Sequence, residues 1–500
     1  MTSSYPDILT CEDHGETRTP ALPAIYPVTL SRAKLVRERG CSLRRSAGSA
    51  RCYCEGFYSA VRNALMRILL LAHFFPPDIG GEERHVFNLA NTLAERGHEV
   101  AVATQRMAGI PDQETLASGV RVHRFATAAM RLPGVYSTSR PHHPPLPDPL
   151  GVRELSRIIR RERPEVVHAH NWIVNSALAL RRSSAAGSRF GLVLTLHDFS
   201  HVCATKRLMR MGSPCEGPAA ARCLPCAAAQ YGPAVGSLTV AATALMRPWK
   251  SRAIDHVVCV SNAVAAGSRI VLGPDASVIP NFVLDEVVLG RAGAAESRTG
   301  DIPPGLPREE FLLFVGELSR DKGLPTLLRA YESLDRKPPL LLVGRRMPDT
   351  PARLPEGVEM RSEWPHDHVM AAFRRCLFAV LPSICLDACP TTVLEAMASG
   401  RPVVATTTGG IVDLVAHGES GYLVPPGDEV RLAEVMARLL ADAGLRARFA
   451  AAATERVERF TASAVAERLE AVYARVAPRN SVTHAGTRQV SGGGRDADAS

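Results

Sequence analysis

The sequence predicts an α/β protein of two doubly wound blocks facing one another across a cleft. Three observations predict it. Short, continuous apolar strands alternate with amphipathic helices from Ile68 to Val260 and again from Phe311 to Ala405, the pattern of parallel sheets covered on both faces. A Gly/Ala/Pro-rich segment over 285–308 lies between the two blocks. The residues with chemical character follow strand ends, where open α/β sheets bind ligands.

Length and composition set the bounds. The 500 residues exceed a single core and suit about two to three domains. Apolar content of 46% is ordinary for a globular chain. The net charge of +9 permits anionic ligands or an anionic membrane face. No aromatic-basic motif accompanies it, so no nucleic-acid partner is expected. No apolar run reaches the ~20 residues of a spanning helix. Early acids and the lack of an apolar signal core predict a cytoplasmic protein, with peripheral contact at the inner membrane face as an added option.

Taken in order, residues 1–65 show no sustained periodicity and read as a disordered extension. The abrupt change at Met66 raises the expectation that the native chain starts there. An N-terminal Rossmann-like domain is expected over 66–280. Its strands are Ile68–Ala72, Val100–Ala103, Val120–Phe125, Glu165–His168, Leu192–Leu196 and His256–Val260. Between them, Glu83–Arg96 carries Val86, Leu89, Ala90, Leu93 and Ala94 on one face and ends at Gly97. Further helices are expected over 152–162, 174–182 and 234–247. Residues 281–308 form a linker or variable segment. The second Rossmann-like domain, 309–460, has strands Phe311–Val315, Leu340–Val343, Leu377–Leu381 and Pro402–Ala405. Helices fall near 323–333, 367–374, 391–398, 428–441 and 443–456, and GYLVPPGD over 421–428 reads as a turn after the last strand. A helix over 461–477 is expected to pack back on the first domain, and 478–500 reads as a disordered tail.

The chemistry concentrates in SICLDACPTTVLEAMASG, residues 383–400. Pro390 suits a helix start, because its missing N–H would be unpaired there anyway. The free amides of the first turn and the positive dipole end make a seat for phosphate. Glu395 lies four residues after Thr391, one turn in on the same face, and its carboxylate can accept from two neighbouring hydroxyls, as on a ribose. Asp387, in the loop before the helix, can hold further hydroxyls. After the first strand, Gly80-Gly81 precedes a helix, which allows close backbone approach to an anion; it is not the GxGxxG of a nicotinamide site. His168, His170 and Asn171, then His197-Asp198, follow successive strands. In FLLFVGELSRDKG, Arg320 and Lys322 precede a helix, and two cations there can hold a diphosphate and offset the charge that grows as it leaves. Each feature alone also reads as a capped turn or a solvated face.

Together these motifs carry a family resemblance. FFPPDIGGEERHV, LAERGHEV, VVHAHN, LTLHDF, VVCVSNAV, VIPNF, FVGELSRDKG, LPSICLDACPTTVLEAMASGRPVVATTTGG and HGESGYLVPPGD run in order over 66–475. The chain resembles a GT-B glycosyltransferase of the retaining family 4. The resemblance implies transfer of a hexose-type unit from a nucleotide-sugar donor, UDP- or GDP-linked, to a hydroxyl of a glycan, lipid-linked or small-molecule acceptor. It gives Lys322 the diphosphate, Glu395 the ribose, Asp387 the donor sugar's hydroxyls, and Thr391, Thr392 and Val393 the phosphate seat. Gly80 and Gly81 approach from the other domain, and His197 stands near the anomeric carbon. Two positions depart from the family pattern. Glu317 replaces the arginine of the G-R-L-x-x-x-K-G motif, with Arg320 as a stand-in, and Asp387 replaces a glutamate. The lack of an Asp-x-Asp after a strand fits transfer with no metal cofactor, with Arg320 and Lys322 opposing the charge. A GT-B epimerase or hydrolase and a non-catalytic sugar-nucleotide-binding protein are the alternatives.

Two features stand apart. Cys203-x11-Cys215-x7-Cys223-x2-Cys226 follows His197 in a loop with little apolar material. Its thiols suit a structural zinc, reduced cysteines or disulfides. The small-residue helix near 234–247, followed by Lys250 and Arg252, suits either a membrane surface or core packing, and core packing is the expectation carried forward.

Overall fold

The computed structural model describes residues 65–478 apart from 78–79, 132–142, 182–188, 290–302 and 363. The extension expected over 1–65 and the tail over 478–500 therefore lie almost wholly outside the described residues, as does part of the linker.

The first sheet has eight strands in the order β10-β9-β6-β5-β1-β2-β4-β3. They are β1 Arg67–Leu71, β2 Glu99–Gln105, β3 Gln113–Thr115, β4 Arg121–Phe125, β5 Val166–His170, β6 Gly191–Leu196, β9 His256–Cys259 and β10 Ala276–Val278, while β7 Met209–Arg210 and β8 Ser213–Pro214 form a separate hairpin. All pairings in the eight-stranded sheet are parallel except β3 with β4. Buried residues cover both sides of β1, β5 and β6, which is why those strands read as unbroken apolar runs. The covering helices are α1 Gly81–Glu95, α2 Pro149–Glu162, α3 Val174–Leu180, α4 Ala220–Tyr231, α5 Pro233–Ala253 and α6 Asn262–Gly267, with α7 Asp285–Leu289 after β10.

The second sheet, β13-β12-β11-β14-β15-β16, is wholly parallel. Its strands are β11 Leu312–Val315, β12 Leu340–Val343, β13 Val358–Arg361, β14 Ala379–Leu381, β15 Val403–Thr406 and β16 Gly421–Val424. The helices are α8 Leu324–Glu332, α9 His366–Arg375, α10 Thr391–Ala398, α11 Ile411–Leu414, α12 Glu429–Ala441, α13 Ala443–Val457 and α14 Ala462–Val476. In each sheet the connection order reverses beside a central strand, between β1 and β5 and between β11 and β14. Such reversals open crevices at the carboxyl ends of the strands.

Three local readings are corrected. Residues 421–424 form edge strand β16, not a turn, and a Cβ on Gly421 would lie 2.1 Å from the Val403 carbonyl oxygen; the glycine that suggested a turn permits tight pairing with β15. The expected loop after Cys215 contains helix α4. Helix α5 is not packed into the core all round: Leu238, Leu245 and Trp249 on one side are 60%, 68% and 56% exposed.

Helix α14 lies against α1 and the first sheet. Tyr473 Oη meets His168 Nδ1 at 2.6 Å, and His168 Nε2 meets Thr195 Oγ1 at 2.7 Å. Glu470 accepts both Arg96 nitrogens at 2.6 and 2.7 Å and faces His98 Nε2 at 2.9 Å. Burial alone would raise the Glu470 pKa, but Arg96 and His98 outweigh it and bring it to about 2.

His168 is fully buried, and burial, reinforced by His197 and His256, pushes its pKa down to about 3. The unfolded chain binds that proton more readily, so His168 contributes stability above pH 6.5 that is lost as pH falls toward 3. At pH 5.5 the loss is about 1.4 kcal/mol for one such histidine. Urea denaturation should give a lower unfolding free energy at pH 5.5 than at pH 7.5, with a shallower pH slope in His168→Asn. A profile flat between those pH values would contradict a neutral, buried His168.

Candidate active site

The two crevices share a cavity of about 330 Å³. Gly81, Glu82, Asn171, His197 and Asp198 line it from the first sheet, and Gly316, Lys322, Ser383, Asp387, Thr391 and Thr392 from the second.

On the first wall, strand ends place a hydrogen-bonded chain. Asn171 follows β5 with φ of 56°, a left-handed conformation that Asn tolerates. Its Nδ2 donates to Glu82 Oε2 at 2.6 Å and its Oδ1 accepts the His197 amide at 3.2 Å. His197 Nε2 lies 2.8 Å from His170 Nδ1, with the rings stacked at 5.1 Å, and His85 meets His197 edge-on at 4.7 Å. Burial lowers the His197 pKa, with Glu82 opposing it. Burial and the neighbouring imidazoles hold His170 well below its ordinary value. The group is therefore uncharged near neutral pH and offers polar contacts without a cation. Burial raises the Asp198 pKa against Lys206 and its hydrogen bond from Ser200. Among the described residues, His85, His170 and His197 form the one group of three ligand atoms within 4.8 Å of one another. A metal there would have to replace the existing His170–His197 contact.

On the second wall, Lys322 Nζ pairs with Asp387 Oδ1, and Ser383 Oγ donates to Asp387 Oδ2. Burial acts to lower the Lys322 pKa, but Asp387 outweighs it, so the ammonium is held above its ordinary value and stays charged. Backbone geometry fixes both partners. Gly323, at φ of 76°, turns the chain after Lys322 where a Cβ would lie 1.8 Å from the Pro382 carbonyl oxygen. Gly409, at φ of 52°, passes so close to the Asp387 carbonyl oxygen that a Cβ would lie 2.0 Å away, and the next amide, Gly410, donates to that oxygen at 2.7 Å. Beyond Pro390, helix α10 presents Thr391 and Thr392 to the cavity, where its first amides have no intrahelical partner.

Not every residue singled out in the sequence reaches the cavity. Arg320 is exposed and absent from the lining, and its amide donates to Asp349 Oδ2 at 2.8 Å. Val393 is fully buried, with its amide on the Pro390 carbonyl at 3.2 Å. Glu395 is 7% exposed and lies just behind the lining, with Arg84 NH1 3.6 Å and His366 Nε2 3.0 Å from its Oε1. Glu317 pairs with Arg345, away from the cavity. Gly80 adjoins Gly81 as the cap residue of α1. Among the described residues, a Cβ on Gly81 would meet nothing within 4 Å, and Gly81 lines the cavity. The four cysteines line a separate small pocket.

Sequence reading missed Arg84, His366 and Ser383. Arg84 follows Gly81 by three residues in the first turn of α1, a spacing that signals the same face; nothing local marks His366. Asn281 was visible only as part of VIPNF, yet its Nδ2 donates to the Cys389 carbonyl at 2.8 Å and joins the two walls. The arrangement combines a fixed cation, a free helix N-terminus, paired carboxylates and uncharged imidazoles, groups that together accommodate a diphosphate bearing hydroxyl-rich units.

Comparison with known proteins gives independent relatives. Residues 79–286 match the family model described as Glycosyltransferase Family 4, and residues 309–442 match that described as Glycosyl transferases group 1. A glycogen synthase of Mycobacterium tuberculosis (strain CDC 1551 / Oshkosh) is 28% identical over 419 residues, covering 78% of this chain and 90% of the relative. A phosphatidyl-myo-inositol mannosyltransferase of Mycobacterium leprae is 27% identical over 429 residues, covering 83% and 98%. Among solved structures, sucrose-phosphate synthase from Thermosynechococcus elongatus superposes with a TM-score of 0.62 at 21% identity, covering 82% of this chain and 98% of that one. Anabaena HepE, solved in complex with UDP, gives 0.53 at 19%, covering 81% and 99%.

The Lys322–Asp387 pair is open to a double-mutant cycle. Lys322→Met leaves Asp387 without its cation and should cost at least about 2 kcal/mol of unfolding free energy. Lys322→Met/Asp387→Asn should recover part of it, with a coupling of about 1–3 kcal/mol in urea denaturation. Strictly additive losses would contradict a direct pair.

Proposed function

Because the chain belongs to the family 4, group 1 glycosyltransferases and has their GT-B fold, we propose that it moves a hexose-type unit from a nucleoside diphosphate sugar to a hydroxyl acceptor with retention of configuration. The observation that carries the donor assignment is the open space beside Gly81, facing Lys322, Asp387 and the start of α10 in one cavity. In this reading the diphosphate lies on the amides of Thr391 and Thr392 with Lys322 beside it. Glu395 takes the ribose hydroxyls in place of Arg84, and Asp387 turns toward the sugar. The bond from the anomeric carbon to the diphosphate breaks as the acceptor oxygen forms its own bond to that carbon, and the departing diphosphate takes the acceptor's proton. Lys322 and the helix dipole oppose the charge that develops. The transfer needs no metal in this scheme. His197 and Asp198 face the sugar from the first wall, with His197 uncharged so that it does not compete with Lys322 for the diphosphate.

The acceptor is a glycan, lipid-linked or small hydroxyl compound, and helix α5 supports contact with an anionic bilayer. Leu238, Leu245 and Trp249 are exposed on it, Arg247 and Arg252 supply positive charge, and its 21 residues include no acid. Apolar area plus basic charge is the combination that binds membrane interfaces. Among the described residues no helix is long and apolar enough to cross a membrane.

Four outcomes test these assignments. Gly81→Val should leave the melting temperature almost unchanged while nucleoside diphosphates lose their thermal stabilisation of the protein; full retention of that shift would remove Gly81 from the donor site. Glu395→Ala should weaken binding of a UDP- or GDP-hexose by about tenfold or more, through loss of two hydrogen bonds to a carboxylate. Nucleoside diphosphate released at the same rate with and without acceptor would favour a hydrolase. In sedimentation with phosphatidylglycerol vesicles, Leu245→Asp/Trp249→Asp should abolish binding seen for the unaltered chain, and no binding by the unaltered chain would exclude the bilayer.

A further inference from the structure

The cysteine segment is anchored at its start, where Val202 and Leu208 join the core, but its hairpin and following helix bury little. After β6, the chain passes through Lys206, Leu208 and Met211, all with positive φ, where side chains are strained. It then makes hairpin β7/β8, of which only Met209 is buried. Helix α4 follows, with one buried residue, Ala227, among twelve and with Pro225 inside it. It packs closely on α5, where a Cβ on Gly236 would lie 2.6 Å from the Ala227 backbone. Apolar burial of this extent does not offset the ordering of such a segment. The segment nonetheless places two cations against residues that adjoin the cavity lining, Trp172 next to Asn171 and Asp321 next to Lys322. Lys206 Nζ stands 4.4 Å over the Trp172 ring, and Arg207 pairs with Asp321 beside Lys322 in the second domain.

All four cysteines of the segment are free and line one pocket of about 20 Å³, room for a single ion or water. They come from three pieces of chain: Cys203 from the loop, Cys215 from just after the hairpin, and Cys223 and Cys226 from one face of α4, where an i,i+3 spacing brings side chains together. Cys203 Sγ lies 3.3 Å from Thr205 Oγ1, and Cys226 also bonds the Thr205 hydroxyl. No three of the sulfurs fall within 4.8 Å of one another. Tetrahedral zinc, with Zn–S bonds of about 2.3 Å, needs sulfurs about 3.8 Å apart. Binding therefore draws Cys203 and Cys226 off Thr205 toward the pocket centre.

We propose that Cys203, Cys215, Cys223 and Cys226 bind one zinc ion as four thiolates, a structural centre that joins the loop, the hairpin and α4 and holds Lys206 and Arg207 at the cleft. Each thiol gives up its proton to solvent as the metal enters, and no oxidant is involved. The proposal does not depend on the donor assignment, because its readouts are metal content and local order.

The test uses the full chain, expressed with added zinc and purified without chelator. Elemental analysis should find about one zinc per chain, as expected for a single four-thiolate site. Cobalt added to metal-stripped protein should give the near-ultraviolet thiolate-to-cobalt absorption band. Stripping should speed tryptic cleavage at Arg207, Arg210 and Arg222, and zinc should restore resistance. Cys223→Ser/Cys226→Ser should lose the zinc, and Cys259→Ser, at a buried cysteine outside the pocket, should keep it. Three results overturn the proposal: unaltered protein that carries no zinc and takes none up when it is supplied, disulfides among the four cysteines found after alkylation under non-reducing conditions, or undiminished zinc in the double variant. The first two are read on the unaltered chain, so poor folding of a variant does not decide the matter.

Discussion

Lys322 and Asp387 meet where the second sheet reverses its strand order, and the second wall of the cavity is built around that contact. The ammonium follows β11 and the carboxylate follows β14, so the pair bridges the two arms of the sheet across the crevice. Neither residue is free to move far. Gly323 presses the lysine's turn against Pro382, and Gly409-Gly410 holds the Asp387 backbone. A cation rigidly held beside the N-terminus of α10 favours an anion without having to reorganise for it. The same contact means that an incoming ligand competes with Asp387 for the lysine. In the proposed donor reading, the shorter Asp side chain, where the family resemblance calls for Glu, thus bears on both the sugar and the state of the cation.

The substitution of Glu317 removes a positive charge from the family motif, and the structure does not return it through Arg320. Glu317 is paired with Arg345, and Arg320 faces solvent. Charges near the cleft come instead from elsewhere in the chain: Arg84 on α1, within 3.6 Å of Glu395, and Arg207, in its pair with Asp321. Neither belongs to the second domain, so positive charge around the cavity depends partly on the closeness of the two halves. This couples domain approach to ligand charge more directly than a motif confined to one domain would.

What was legible in the sequence follows from the range of the interactions involved. Buried parallel strands such as β1 and β6 announce themselves because, Arg67 and Thr195 apart, their residues carry no polar side chain, and α10 does so because Pro390 and Gly400 bracket it. Edge strands failed: β3, β10 and β13 have three or four residues each, and β16 begins with a glycine that resembles a turn. The exposed side of α5 was unreadable because Leu238, Leu245 and Trp249 look like core residues until the packing is known. At the site, Lys322, Asp387, Thr391, Thr392, Gly81 and His197 could be singled out because each follows a strand end or opens a helix. Val393 and Arg320 were placed by motif position, and the local geometry turns one inward and the other outward. Arg84 and His366 converge on Glu395 from distant parts of the chain, and no local pattern encodes such a meeting.

That convergence has a consequence for affinity. The Glu395 carboxylate is already satisfied by His366 and faces Arg84, and Asn281 and Asn262 add further ties across the cleft, to the Cys389 carbonyl and to Asp413. A ribose that takes the carboxylate gains two hydrogen bonds but displaces an existing charge contact, so the net gain is smaller than the bonds alone suggest. In the proposed donor reading, the displaced guanidinium turns to the incoming phosphates, whose charge is opposite to its own. Arg84 then passes from one anion to another within the same cleft. In the proposed donor reading, the loss at Glu395 is recovered only by ligands that carry both hydroxyls and a diphosphate, so the exchange would discriminate nucleoside diphosphates from simple sugars.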